Sequence, residues 1–91
     1  MKYFLTLSED AELDLRETND YYSKISVELL DRFWEDLQKT MQLIGDNPLH
    51  YQERYRNNRI VFLKEFPFGL HYFINDNEVQ IFRILHTKRE F

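Results

Sequence analysis

The spacing of apolar residues changes once along this chain, from a helical repeat to a strand repeat. Between residues 11 and 44 the apolar side chains recur every three or four positions, and after residue 58 they alternate. One such change predicts helices in the first part and strands in the second, hence an α+β fold. The strongest helical stripe consists of Val27, Leu30, Trp34, Leu37, Met41 and Ile44.

Two serines predict where the helices begin. Ser8 stands before two acidic residues, and its hydroxyl oxygen suits the free N–H groups of a first helical turn. Ser26 has the same position before the second helix, and Gly45 is a natural end for that helix. The predicted buried stripe of the first helix is Ala11, Leu15, Thr18, Tyr22 and Ile25.

The remaining segments predict a small sheet. Short connections at Phe66-Pro67 and Asn75-Asp76-Asn77 make the last three strands antiparallel neighbours. We therefore expect β-α-α-β-β-β order, with a helical hairpin packed on a small antiparallel sheet, and a long polar loop or extended connection over residues 46–58. A chain of 91 residues holds one core, so residues 1–91 form a single domain. The predicted strands are residues 2–7, Arg59–Glu65, Phe68–Ile74 and Glu78–Leu85.

Charge is divided unevenly along the chain. Residues 1–53 carry five Lys/Arg and twelve Asp/Glu, whereas residues 54–91 carry seven and four. This asymmetry favours a basic working surface opposite an acidic, solvated face, although acids on helices also serve solubility alone. With a net charge of −4, the whole chain is less basic than most nucleic-acid-binding domains.

Several kinds of chemistry find no support in the sequence. There is no cysteine, so disulfides and zinc–thiolate sites are excluded. The three histidines lack metal-site spacing and the two glycines form no phosphate-binding loop, so we expect no metal and no cofactor. No apolar run reaches the ~20 residues of a membrane span, and we expect a cytoplasmic protein without membrane contact.

Basic residues gather near the C-terminus. Arg83, His86, Lys88 and Arg89 follow or end the last predicted strand, and Arg59 lies on the first strand of the meander. Histidine exchanges protons near neutral pH and arginine binds phosphate oxygens, so these are parts that a phosphodiester site needs. They are equally the parts of an ordinary sheet edge, with His86 hydrogen-bonded to the chain and the arginines covering strands.

Some apolar residues fall off the helical stripes. Leu13, Leu29 and Leu43 point away from the predicted core and would form an exposed patch for a partner protein. Scattered surface leucines are also common and need no partner. The aromatic residues predicted to fill the core are Tyr22, Phe33, Trp34, Phe66 and Tyr72.

Short motifs recur in a fixed order along the chain. The first group lies on the helices: Ala11-x-x-Asp14-Leu15, Tyr21-Tyr22, and Leu30 with Arg32-Phe33. The second group follows: Asn47-Pro48, Phe66-Pro67-Phe68 with Tyr72, and Val79-x-Ile81-x-x-Ile84-x-His86-x-x-Arg89. This ordered set resembles the RelE/ParE toxin superfamily, most closely its ParE branch.

The resemblance implies the toxin of a type II toxin–antitoxin pair, held inactive by a cognate antitoxin. The ParE branch is associated with inhibition of DNA gyrase, and the RelE branch cleaves mRNA on the ribosome. We expect a gyrase-binding inhibitor that catalyses no reaction. Its target contacts would be Arg83, His86, Lys88, Arg89 and Phe91, and its antitoxin contacts Leu13, Leu29 and Leu43.

Two alternatives stay open. One is a ribosome-dependent endoribonuclease in which Arg59, Arg83 and His86 are catalytic, although Phe91 occupies a place where such enzymes often carry a tyrosine. The other is a degenerate, non-toxic protein that only binds its antitoxin. A shared fold does not choose between these outcomes.

Overall fold

The computed structural model describes residues 2–87, which form two helices and five strands. The predicted α+β class and the order of its elements are confirmed, with one strand added. In chain order the elements are β1 (Phe4–Leu7), α1 (Glu9–Ser23), α2 (Val27–Asp46), β2 (Glu53–Tyr55), β3 (Asn58–Phe62), β4 (Phe68–Asn75) and β5 (Glu78–His86).

The five strands form one sheet in the order β1-β5-β4-β3-β2. Strands β2 to β5 are antiparallel neighbours, but β1 pairs in parallel with β5, with Leu5 opposite Val79 and Leu7 opposite Ile81. The sheet is therefore mixed, whereas the sequence predicted an antiparallel one. No short turn joins β1 to β5, so nothing in the local sequence fixed their relative direction.

The added strand, β2, lies within the segment predicted to be a polar loop or extended connection. It forms a tight hairpin with β3, and the turn residues Arg56 and Asn57 have φ values of 46° and 66°. Positive φ at two central residues is the pattern of a two-residue hairpin turn. All three β2 residues are exposed, so the strand has no apolar alternation that a sequence pattern would show.

Both helices begin where predicted. The Ser8 hydroxyl oxygen accepts a hydrogen bond from Ala11 N (3.1 Å), and that of Ser26 accepts one from Leu29 N (2.9 Å). Helix α2 continues through Gly45 to Asp46, so the glycine does not end it. A Cβ at Gly45 would lie 2.9 Å from a Leu5 methyl carbon, so glycine lets α2 approach β1 closely.

The core lies between the helices and one face of the sheet. Tyr22, Phe33, Phe66 and Tyr72 are buried as predicted. Trp34 is only partly buried, and its Nε1 donates a hydrogen bond to Asn19 Oδ1 (2.8 Å), which joins α2 to α1. Phe33 is the centre of a ring cluster in which its centroid lies 5.4–5.7 Å from those of Tyr22, Phe66 and Phe68.

A buried carboxylate holds the loop between β3 and β4. Asp36 of α2 is 6% exposed and accepts hydrogen bonds from the backbone N–H groups of Lys64 (3.2 Å), Glu65 (2.8 Å) and Phe66 (3.1 Å). These bonds replace the strand pairing that the loop lacks, and they place Phe66 in the ring cluster.

Candidate functional site

Strand β5 contains a bulge beside helix α1. Tyr72 of β4 pairs with Ile81, and the preceding residue His71 pairs with Arg83, so Phe82 is an extra residue on β5. Such a bulge changes the direction of neighbouring side chains. The Phe82 ring lies near those of His71 and Phe73, while Arg83 reaches α1.

The acceptor on α1 is Asp14. Its carboxylate receives hydrogen bonds from Arg83 Nε (2.8 Å), Arg83 Nη2 (3.1 Å) and the backbone N–H of Ile84 (2.8 Å). The Asp14 side chain is 12% exposed and that of Arg83 is 42% exposed. The guanidinium is thus held in one orientation against α1, and its charge is balanced by a carboxylate.

Ser8 attaches the start of α1 to the same bulge. Its hydroxyl donates to the backbone carbonyl of Phe82 (2.9 Å) while accepting from Ala11 N. Ser8, the N-cap of α1, therefore binds Phe82, and Asp14 within α1 binds Arg83 and Ile84. This arrangement fixes the helix against the point where β5 changes direction.

Arg83 and His86, two of the predicted site residues, line one cavity of about 250 Å³ with Asp14, Glu17, Thr18 and Phe68. The His86 ring stands edge-on to the Phe68 ring, with centroids 5.1 Å apart. The cavity combines an imidazole and a guanidinium with two acidic side chains. Its charge is mixed rather than basic, which suits a protein surface better than a phosphate-rich ligand.

Arg59, the third catalytic candidate, lies elsewhere. It is on β3 opposite Tyr72, its Nε donates to the Tyr51 carbonyl (2.7 Å), and its Nη2 lies 3.4 Å from a Glu53 carboxylate oxygen. Its side chain is 12% exposed and does not line the cavity of Arg83 and His86. The structure therefore brings together two of the three catalytic candidates.

Tyr72, opposite Arg59 on the neighbouring strand, is completely buried. Its hydroxyl donates to the Pro48 carbonyl (2.7 Å). Burial raises the pKa of Tyr72 to about 12, and the positive charge of Arg59 opposes that rise. Burial also raises the pKa of Tyr22, with a smaller contribution from Tyr21. Both phenols are therefore neutral at physiological pH.

The predicted partner-binding leucines occupy different surroundings. Leu13 is 47% exposed and Leu43 is 56% exposed, so both are available on the surface. Leu29 is partly buried and packs against the core. Their contact with a partner stays a prediction. Lys88, Arg89 and Phe91, predicted to contact the target, lie outside the described residues.

Asp14 and Asp36 were missed as key residues, although the sequence carried a signal for both. Asp14 falls between Ala11 and Leu15 on the buried stripe of α1, and Asp36 stands next to Leu37 on that of α2. An acid on an apolar stripe needs donors to satisfy it, and here both acids accept backbone N–H groups.

Among residues 2–87, no group of three or more His, Asp or Glu side chains is placed to hold a metal ion. No helix there is long and apolar enough to cross a membrane.

The fold is shared with a solved bacterial structure. The chain superimposes on a protein described as the chromosomal ParDE TA system from P. aeruginosa with a TM-score of 0.79. The two are 20% identical, and the match covers 93% of this chain and 96% of that one. At this identity the similarity establishes the fold, two helices on a five-stranded mixed sheet.

The family follows from the sequence match. The family model described as the ParE toxin of the type II toxin–antitoxin system, parDE, matches residues 5–91. This chain therefore belongs to the ParE toxin family, as the motifs predicted. No curated protein matches it significantly.

Proposed function

We propose that this ParE-family toxin arrests growth by binding and inhibiting DNA gyrase in the cytoplasm, and that a cognate antitoxin neutralises it. The observation that carries the choice of mechanism is the pairing of Arg83 with Asp14. A guanidinium already bound to a carboxylate is poorly placed to stabilise a phosphorane-like charge, whereas its side chain, 42% exposed, can still be part of a protein contact.

The position of Arg59 supports the same choice. Its guanidinium is engaged by Tyr51 and Glu53 away from the cavity that Arg83 and His86 line. A nuclease would need convergent groups around one phosphate. Arg83 and His86, which line one cavity, are instead candidates for contact with a protein.

Pulse-labelling in bacteria tests this proposal. Newly made DNA and newly made protein are measured just after induction of the chain without any antitoxin. Inhibition of gyrase would reduce DNA synthesis first, and the purified chain would then block supercoiling by purified gyrase. A first fall in protein synthesis would replace the proposal with the ribonuclease alternative.

Matched variants sharpen the test. Replacing both Arg83 and His86 with alanine should abolish inhibition of supercoiling, whereas Arg54→Ala, a change to an exposed arginine on β2, should leave it intact. A folded wild-type chain that slows neither synthesis would indicate the degenerate, non-toxic protein. Neutralisation is tested by restoring growth with the product of the adjacent reading frame.

A further inference from the structure

A second cavity of about 570 Å³ lies beside the one that holds Arg83. It is bounded by the second half of α1, the turn into α2 and the start of β4, and its lining includes Glu17, Tyr21, Tyr22, Leu29, Phe68 and His86. Leu29 was predicted to contact a partner and His86 to contact the target. The cavity brings these two residues to one place.

Aromatic rings form much of its wall. The Tyr21 and Tyr22 ring centroids are 5.2 Å apart, those of Tyr22 and Phe68 are 6.4 Å apart, and those of Phe68 and His86 are 5.1 Å apart. Tyr21 is 61% exposed, so its ring is available to a partner. Electron-rich ring faces attract cations, and arginine stacks on them better than lysine does.

Glu17 supplies the matching negative charge, one helical turn before Tyr21. The acids on either side of it along α1 are already paired, Asp14 with Arg83 and Asp20 with Lys24. Among residues 2–87, no cation lies within ion-pair distance of Glu17. The cavity thus offers aromatic rings, an apolar side chain and the Glu17 carboxylate. The apolar side chain suits the aliphatic stem of an arginine, and the rings and the carboxylate suit its planar, charged guanidinium.

We propose that this cavity binds an arginine side chain of the antitoxin. The inference rests on the proposed function, because it assumes that an antitoxin exists. The stem would lie against Leu29, and the guanidinium would stack on the tyrosine rings and pair with Glu17. A buried arginine in an aromatic pocket is the type of residue that dominates the affinity of protein interfaces.

The position of the cavity also gives a mechanism of neutralisation. Glu17, Thr18, Phe68 and His86 line both this cavity and the one that contains Arg83. An antitoxin segment anchored here covers His86 and closes access to Arg83. The antitoxin therefore blocks the target-binding residues by direct contact, without a change of the toxin's fold.

A peptide titration tests the cavity independently of toxicity. The 15N-labelled chain is titrated with acetyl-Leu-Ala-Arg-Ala-Leu-amide and with the same peptide carrying citrulline, which has the same shape but no charge. We expect chemical shift changes at Tyr21, Tyr22 and His86, and about tenfold weaker binding of the citrulline peptide. Glu17→Gln should remove this difference, whereas Glu12→Gln, on an exposed position of the same helix, should not.

Two results would overturn the inference: equal binding of both peptides, or shift changes spread along the acidic surface of α1. Saturable binding at the cavity that depends on charge and on Glu17 would support it.

The complex itself separates this inference from the proposed function. Affinity for the product of the adjacent reading frame is measured for the wild type, Glu17→Lys and Glu12→Lys. A loss of more than about tenfold for Glu17→Lys alone supports the arginine site. Equal losses overturn the site but leave the antitoxin partnership intact. Failure of the wild type to bind overturns the partnership, and the inference with it.

Discussion

Asp14 and Arg83 form a two-point contact, with Arg83 Nε and Nη2 donating to the two carboxylate oxygens of Asp14 at 2.8 and 3.1 Å. The same carboxylate accepts the backbone N–H of Ile84, so it binds a side chain and the strand that carries it. This contact fixes the orientation of the guanidinium relative to α1. It connects the stability of the bulge to the proposed binding surface.

Replacing Asp14 with alanine should lower the free energy of unfolding by about 1–3 kcal/mol, because the Ile84 N–H loses its acceptor and Arg83 its partner. The expected loss of stability is modest because Arg83 is 42% exposed and solvent screens its charge. Urea denaturation measures the change. Asp10→Ala, at an exposed position of the same helix, is the control, and an equal loss in both variants would contradict the proposed anchoring role of Asp14.

Removal of the Asp36 carboxylate should be more costly. Asp36→Ala leaves three backbone N–H groups of the β3–β4 loop without an acceptor, and we expect a loss of about 2–4 kcal/mol. Asp36→Asn keeps one oxygen acceptor and should lose less. Asp31→Ala, on an exposed position of α2, should change stability by less than about 0.5 kcal/mol. Denaturant midpoints compare the three variants. An Asp36→Ala variant as stable as the wild type would contradict the role of Asp36 as the acceptor that holds the loop.

Stability should fall at alkaline pH because of Tyr72. Its pKa is raised to about 12 in the folded chain, whereas the unfolded phenol ionises near the ordinary value of 10.0. Between these values the folded state keeps a proton that the unfolded state has released, so the free energy of unfolding decreases as pH rises from about 10 to 12. Tyr72→Phe should make this decrease shallower, while costing about 1–2 kcal/mol at neutral pH through the lost bond to Pro48. A variant with an unchanged alkaline slope would exclude Tyr72 as the cause.

The β2–β3 turn should accept glycine. Asn57 has a φ of 66°, which glycine adopts without steric cost, and glycine is favoured at the second central position of such hairpin turns. Asn57→Gly should therefore leave stability unchanged or raise it by up to about 1 kcal/mol. Asn57→Val should lower it by about 1–2 kcal/mol, since a β-branched residue is strained there. Thermal unfolding compares the pair, and equal melting temperatures would argue against the left-handed turn.

The sequence predicted those parts of the fold that are encoded locally. The caps at Ser8 and Ser26 and the presence of α2 and β4 depend on neighbouring residues, and the structure confirms them. The predicted stripe of α2 was only partly right, because Val27 is 71% exposed and Asp36 and Thr40 are buried instead. Burial along β4 does not alternate, because its first five residues are all buried. The parallel pairing of β1 with β5 and the exposed strand β2 were missed. The first joins distant segments, and the second buries no side chain that a pattern would reveal.

Two residues of the cavity on β5 were predicted from the sequence, but their arrangement was not. Arg83 and His86 were identified from their chemistry, and the structure places both at one cavity. Their separation from Arg59 depends on the direction in which each side chain leaves the sheet. For Arg83 that direction depends on the bulge at Phe82, which has no signature in a single sequence.

The parallel pairing of β1 with β5 joins two strands that are far apart in the chain, with both helices between them. Val79, Ile81 and Ile84 of β5 are core residues, so a nascent chain that lacks β5 has neither the complete sheet nor a complete interior. Folding of the proposed binding surface therefore waits until β5 has been synthesised, and fragments that end before β5 lack that surface.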